Sequence, residues 1–202
     1  MKITLIGATG NAGSRVLAEL LSRGHTVKAI SRRVENVAAH AQVEAVSADV
    51  NDRERLSTLI VGSDAVVSAV KFTELDVDQL IETVRQSGVR RLLVVGGAGS
   101  LWLSPGVREL DGPNFPPHVK PEALKGALFL EKLRASTLDW TFLSPSRIFF
   151  PGSRTGQFRV GEDTLLFDAA GKSSISLEDY AIALVDEIET PRHARSRFTV
   201  GY

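Results

Sequence analysis

The chain has no cysteine among its 202 residues. Disulfides, thiolate metal ligands and cysteine nucleophiles are therefore excluded, and the chemistry has to come from other groups. Aromatic residues are few, with two Trp and two Tyr. Any mechanism built on a tyrosine must use Tyr180 or Tyr202. An excess of one charge is also missing, since 24 Lys and Arg balance 24 Asp and Glu. That balance gives no general electrostatic case for binding nucleic acid or an anionic membrane. His25, His40, His118 and His193 stand at no metal-ligand spacing, and no metal site is expected. No apolar run reaches the ~18 residues of a membrane span, and no basic, apolar and cleavage-site sequence opens the chain. A soluble cytoplasmic protein is expected, monomeric or homodimeric, with neither nucleic acid nor membrane as partner.

The chain does carry 43% hydrophobic residues, enough for one domain with a proper core. Its first segment, Lys2 to Ile6, is an apolar run that feeds directly into Gly7-Ala8-Thr9-Gly10-Asn11-Ala12-Gly13. At this spacing the glycines divide three tasks: a tight turn out of a strand, close backbone approach to a pyrophosphate, and close packing of the next helix on the sheet. A helix is expected from about Ala12, with Val16, Leu17, Leu20 and Leu21 on one face and Gly24 as its stop. Its first N–H groups would point at the phosphates, with Thr9 and Asn11 adding side-chain donors. A glycine triplet alone also marks an ordinary strand-turn-helix corner. The strand expected from His25 to Ile30 completes a βαβ unit of about 30 residues, the context a dinucleotide site requires.

Alternation of strand and helix continues. A short helix is expected at 36–40, a strand at 43–47 leading to Asp49, a helix at 52–61, a strand at 64–70, a helix at 75–86 and a strand at 90–95. Residues 96–117, rich in Gly, Ser and Pro, read as a long loop of the kind that carries function. A helix at 122–135 and a strand at 140–143 follow. Residues 157–160 and 164–167 flank Gly161-Glu162-Asp163 as a candidate hairpin. Ser176 with Asp179 resembles an acidic capping box opening a helix over 177–188, and 198–200 is expected to close the sheet. Continuous apolar strands of this kind imply an α/β fold, a doubly wound parallel sheet. Residues 1–202 are read as a single nucleotide-binding domain, with 146–202 an elaboration forming one wall of the substrate pocket.

In this topology the end of the second strand meets the adenosine ribose. An acidic residue there would bond a free 2′-hydroxyl and repel a 2′-phosphate. The chain has Ser31-Arg32-Arg33 instead, and guanidinium groups pair bidentately with phosphate. NADP(H) is therefore expected in preference to NAD(H), with Arg32 the leading contact; a solvated basic turn is the alternative.

Several motifs together are similar to those of the NAD(P)H-flavin reductases among the atypical short-chain dehydrogenases/reductases, across nearly the whole chain. They are the opening Gly7–Gly13 motif, Val94-Val95-Gly96-Gly97-Ala98-Gly99-Ser100, Lys120-Pro121-Glu122-Ala123, Leu138-Asp139-Trp140-Thr141-Phe142-Leu143-Ser144-Pro145, Arg154-Thr155-Gly156 and Gly171-Lys172-Ser173 through Asp179-Tyr180-Ala181. Biliverdin-IXβ reductase and NmrA-like proteins are more distant likenesses. The resemblance implies a Rossmann fold in which Gly7, Thr9, Gly10, Asn11, Ala12 and Gly13 cradle the pyrophosphate and Arg32 takes the 2′-phosphate. It further implies that Asp49 and Val50 border the adenine, that Ser68, Ala69 and Val70 run beneath the cofactor, and that Pro145 flanks the nicotinamide. Ser31, Arg33 and Gly97 are counted with the cofactor-binding set.

Standard members of that superfamily protonate a substrate alkoxide through a Y-x-x-x-K motif. This chain has Pro121 and Lys125 at that spacing and no tyrosine near them. Hydride transfer to a flavin, quinone or other planar conjugated acceptor asks less, because charge delocalises over the acceptor and water can supply the proton. Ser100 is the candidate catalytic residue, as a donor to an acceptor oxygen; its hydroxyl could equally satisfy its own loop. His118 and Lys120 could hold an anionic substrate tail or be plain surface. Trp102, Phe115, Phe149 and Phe150 could stack on a planar ring, although core packing is preferred for the last two. The Arg192–Arg197 cluster reads as a charged turn. The function expected is an NADPH-dependent reductase of a flavin or similar acceptor. The alternative is a non-catalytic NADP(H)-binding redox sensor of NmrA-like type, with a cofactor-assisted isomerase or epimerase third.

Overall fold

The computed structural model describes all 202 residues. In chain order its strands are β1 (Lys2–Ile6), β2 (Thr26–Ser31), β3 (Val43–Ser47), β4 (Ala65–Ser68), β5 (Arg91–Val95), β6 (Trp102–Ser104), β7 (Val107–Arg108), β8 (Asp139–Ser144), β9 (Ile148–Phe150), β10 (Arg159–Gly161), β11 (Ser174–Ser176) and β12 (Ser196–Gly201). The helices are α1 (Asn11–Ser22), α2 (Arg53–Ile60), α3 (Val77–Gln86), α4 (Lys120–Ala135) and α5 (Leu177–Glu189).

Every residue of β4 is buried, and so are most of β1, β2, β5 and β8. Strands of that texture are stable only with helices on both faces. They form an eight-stranded sheet in the order β3-β2-β1-β4-β5-β8-β12-β10. All neighbours are parallel except β10, which runs antiparallel along β12. On one face α1 and α5 contribute Leu17, Leu20, Tyr180 and Leu184 to a core with Leu5, Val67 and Leu93. On the other, α2, α3 and α4 bring Leu56, Leu80, Phe129 and Leu133 against Val66, Leu92 and Phe142. The result is the doubly wound α/β fold expected, and its strand order reverses between β1 and β4.

Three helix starts are closed by their own side chains. Asp52 accepts from the Arg55 amide at 3.0 Å, Asp76 from Gln79 at 2.9 Å, and Ser176 from Asp179 at 3.0 Å. At α1 the N-cap is Gly10, and no side chain fills that role.

Three expectations need correction. The helix at 36–40 is only a single 3₁₀ turn at Val34–Asn36, because Val37 alone packs inward and no apolar stripe exists to dock a longer helix. Residues 157–160 and 164–167 do not pair. Arg159–Gly161 joins the open edge of β12, whereas Thr164 bridges Trp102 and the Leu165 amide donates to the Trp102 carbonyl at 2.9 Å. Residues 96–117 are not simply loop, since β6 and β7 form a small antiparallel ribbon inside them. A parallel pair, β9 with β11, also forms where no strands were expected. No helix is long and apolar enough to cross a membrane.

Candidate functional site

The chain leaves β1 at Gly7, which takes φ +86°. A Cβ there would lie 2.6 Å from the Ala69 carbonyl oxygen, so the turn presses directly on the residue that follows β4. Gly13, in the first turn of α1, is tighter still: an added Cβ would stand 2.1 Å from the Gly7 carbonyl oxygen. These two glycines bring helix and strand together. Gly10 differs, because a Cβ on it would meet nothing closer than 3.4 Å and the residue faces an open cleft.

The hydrogen-bond ladder of α1 begins with the Ser14 amide donating to the Gly10 carbonyl at 2.9 Å. The amides of Asn11, Ala12 and Gly13 precede it with no acceptor in the protein, and the first turn holds no acidic side chain. Unpaired N–H groups at the positive end of a helix favour an anion.

The cleft in front of this helix start encloses about 240 Å³ at the C-terminal ends of β1, β2, β3 and β4, where the strand order reverses. Gly7, Thr9 and Gly10 form its floor, Ser31, Arg32 and Arg33 one side, and Asp49, Val50, Ala69 and Val70 the rest. Ten of the residues expected at a cofactor thus meet in one place. Asn11 is exposed beside the cleft but does not line it, and neither do Ala12 and the buried Gly13. Ser68, Gly97 and Pro145 also lie outside its lining.

The Thr9 and Ser31 hydroxyls are 2.7 Å apart, and Ser31 Oγ also accepts from the Arg33 amide at 3.2 Å. Two hydroxyls sharing one mutual bond leave one O–H proton to donate outward. Arg32 Nη2 lies 2.5 Å from a carboxylate oxygen of Glu74, whereas the exposed Arg33 guanidinium has no partner. Lys71 lines the cleft as well. Asp49 accepts from the Asn51 amide at 2.8 Å; the Asn51 side chain in turn donates to the Glu74 carbonyl at 2.9 Å and accepts from the Asp76 amide at 2.9 Å. From α4, the Glu122 carboxylate accepts the amides of Phe72 at 2.7 Å and Thr73 at 2.9 Å. The turn that follows β4 is therefore held from two sides. Lys71 and Glu74 were not among the residues expected here, although Lys71 directly continues the Ser68-Ala69-Val70 segment assigned to the cofactor.

Neither tyrosine reaches this cleft. Tyr180 is completely buried; it donates to the Leu143 carbonyl at 2.7 Å and accepts from the Gly96 amide at 3.2 Å. Burial pushes its phenol far above the ordinary range, which suits a fixed bolt rather than a proton donor. Tyr202 donates to Asp179 at 2.8 Å and accepts from the Ser176 amide at 3.2 Å. Asp179 also takes the Thr155 amide and hydroxyl at 2.7 and 2.6 Å and the Gly156 amide at 2.8 Å. Burial raises its pKa, but these hydrogen bonds outweigh that and hold the carboxyl below its usual range.

Ser100 Oγ accepts from Arg197 Nη1 at 3.3 Å and faces a separate, smaller cleft with Trp102, Arg108 and Arg134. Arg197 is not part of a charged turn: its side chain is 2% exposed, sits in β12 and is paired with Asp163, a partner invisible in the local sequence. Phe149 packs on Tyr180 with ring centroids 4.7 Å apart, as core. Phe150 lies under the Lys172 ammonium, and His118 and Lys120 are exposed and line neither cleft.

The model of a family described as NAD(P)H-binding matches residues 7–191. YwnB of Bacillus subtilis, a protein of unassigned function, is 41% identical, with the alignment covering 99% of this chain and 98% of that one. A Bacteroides thetaiotaomicron structure provisionally named an epimerase superposes with a TM-score of 0.95 at 40% identity, covering 100% of this chain and 96% of that one. A Streptococcus pneumoniae structure provisionally named an NADH-flavin reductase superposes with a TM-score of 0.82 at 36% identity, covering 100% and 99%.

Proposed function

This chain belongs to the NAD(P)H-binding family, and from that premise we propose that it is a cytoplasmic NADPH-dependent oxidoreductase that passes hydride to a flavin or a similar planar, quinone-like acceptor. The observation that carries the reading is the cleft at the sheet's reversal point, where an uncapped helix start meets two arginines and no tyrosine. The donor set fits a reduced dinucleotide, which supplies the hydride when bound. The amides of Asn11, Ala12 and Gly13 hold the pyrophosphate, and the free proton of the Thr9–Ser31 pair bonds one of its oxygens or the ribose. Arg32 and Arg33 neutralise the 2′-phosphate. Asp49 and Val50 border the adenine, and Ser68, Ala69, Val70, Gly97 and Pro145 support the remainder of the cofactor.

With Tyr180 and Tyr202 committed to the scaffold, the reading requires an acceptor that needs no protein acid. Flavins and quinones meet that requirement, since the charge they gain spreads over a ring and solvent supplies the proton. Ser100 remains the proposed donor to an acceptor oxygen, for an acceptor that reaches the smaller, separate cleft it lines; its own oxygen accepts from Arg197, so its proton is free to give. Chain residues act here by alignment more than by acid–base chemistry.

The test is oxidation of reduced nicotinamide by the purified protein, followed by absorbance, with FMN, FAD, riboflavin and quinones offered in turn and NADH run beside NADPH. Turnover above the uncatalysed rate, faster with NADPH, supports the reductase. Tight NADPH binding without turnover on any acceptor overturns it in favour of a redox sensor.

A further inference from the structure

We propose that Glu74 is a specificity-determining residue: its carboxylate holds Arg32 at rest and must yield that arginine to a 2′-phosphate, so Glu74 opposes NADP(H) and leaves NAD(H) unaffected. The inference rests on the reading of the cleft as a dinucleotide site and adds a residue that this reading does not use.

At the ribose end the cleft presents Arg32, Arg33 and Lys71 together with Asp49 and Glu74. Of the two arginines the sequence offers, Arg32 is already paired, at 2.5 Å, and Arg33 has no partner. A 2′-phosphate brought to Arg32 would approach the Glu74 carboxylate as well, and like charges sharing one cation repel. A 2′-hydroxyl is uncharged and carries no such penalty.

Glu74 cannot simply move its backbone aside. Its carbonyl is fixed by Asn51, and the two residues after Lys71 are fixed by the Glu122 carboxylate. Relief must come through side-chain rotation. That rotation is cheap, because Arg32 is 66% and Glu74 38% exposed and an exposed pair of this kind contributes little. The outcome is an exchange: Arg32 leaves one oxyanion for another, and Glu74 turns to solvent while still repelling the newcomer.

Adenosine 2′,5′-bisphosphate and 5′-AMP isolate the ribose end from the nicotinamide, and calorimetry reads their affinities without turnover. In Glu74→Gln the bisphosphate should bind roughly 3–10-fold tighter, with 5′-AMP unchanged within about twofold. Glu74→Ala should move in the same direction. Because the Glu74 side chain bonds nothing but Arg32, both variants should fold normally. Unchanged or weaker binding of the bisphosphate in both variants overturns the inference, a loss meaning that the carboxylate positions Arg32 for its phosphate. The cofactor reading fails separately: if the wild-type protein does not discriminate between the two probes and Arg32→Ala alters neither, there is no 2′-phosphate site for Glu74 to oppose.

Discussion

The two ends of this molecule treat their polar groups in opposite ways. Around the turn from β1 into α1, donors are left unspent: three helix amides without acceptors, one hydroxyl proton left over from Thr9 and Ser31, and an unpartnered Arg33. In the C-terminal third, polar groups are consumed internally. Asp179 takes four hydrogen bonds, and Tyr180 bridges Gly96 and Leu143. Arg197 is spent on Asp163 and Ser100. The contrast teaches that a shifted pKa does not by itself mark the site in this molecule. Burial raises the Tyr180 phenol, hydrogen bonds lower the Asp179 carboxyl against its burial, and neither group touches the cleft.

Four substitutions sharpen or break that contrast. The largest effect is expected from Gly13→Ala, because the new methyl would overlap the Gly7 carbonyl and the obstruction is backbone. Stability should fall by about 3 kcal/mol in urea titration, and NADPH affinity by roughly 100-fold in calorimetry, as the amide array is pushed off its line. Retained affinity would show that the helix start is not the anion site.

Next comes Asp179→Asn, which should cost about 2 kcal/mol of stability while leaving the NADPH dissociation constant within about twofold. Its pH dependence has a defined sign. The folded pKa of Asp179 lies below its unfolded value, so its contribution is present in full above the unfolded pKa and is lost as pH falls through the folded one. Urea midpoints should therefore converge between wild type and variant as the solution is acidified below about pH 4. A constant gap down to pH 2 would assign the loss to packing rather than charge.

Arg32→Ala should weaken NADPH by roughly 10–30-fold and NADH by less than about twofold. Equal losses for both dinucleotides would remove the argument for 2′-phosphate recognition. The smallest effect is expected from Tyr180→Phe, a loss of about 1 kcal/mol in thermal or urea unfolding, with any nicotinamide oxidation by the wild type retained in full. A large fall in turnover at full stability would return a tyrosine to the chemistry.

The first part of the fold could be read because its signals are local. Glycine spacing, a 3.6-residue apolar stripe and buried strands all lie within a few residues of one another, and β1, α1 and β2 form close to where they were expected. The errors came where partners are distant in sequence. Arg159–Gly161 was assigned to a hairpin with its neighbours, but β12, some 40 residues on, offered an open edge. Arg197 looked like surface because Asp163 cannot be seen from its own segment. The capping of α5 was read in half: Ser176 does accept the Asp179 amide, yet Asp179 turns to Thr155, Gly156 and Tyr202 instead of reaching back. In the cleft, Arg32 was legible from its place at the end of β2. Glu74 was not, because its approach to Arg32 depends on how the turn after β4 is folded.

That turn also bears on how the protein matures. Every residue lining the cleft precedes Leu75, but the wall opposite the helix start is fastened by Glu122, far downstream in α4. A growing chain would carry every residue that lines the cleft before it owned the carboxylate that holds the Phe72 and Thr73 amides. The nucleotide site is thus completed late during synthesis, and a dinucleotide bound to the finished form would brace helix α4 along with the sheet's first half.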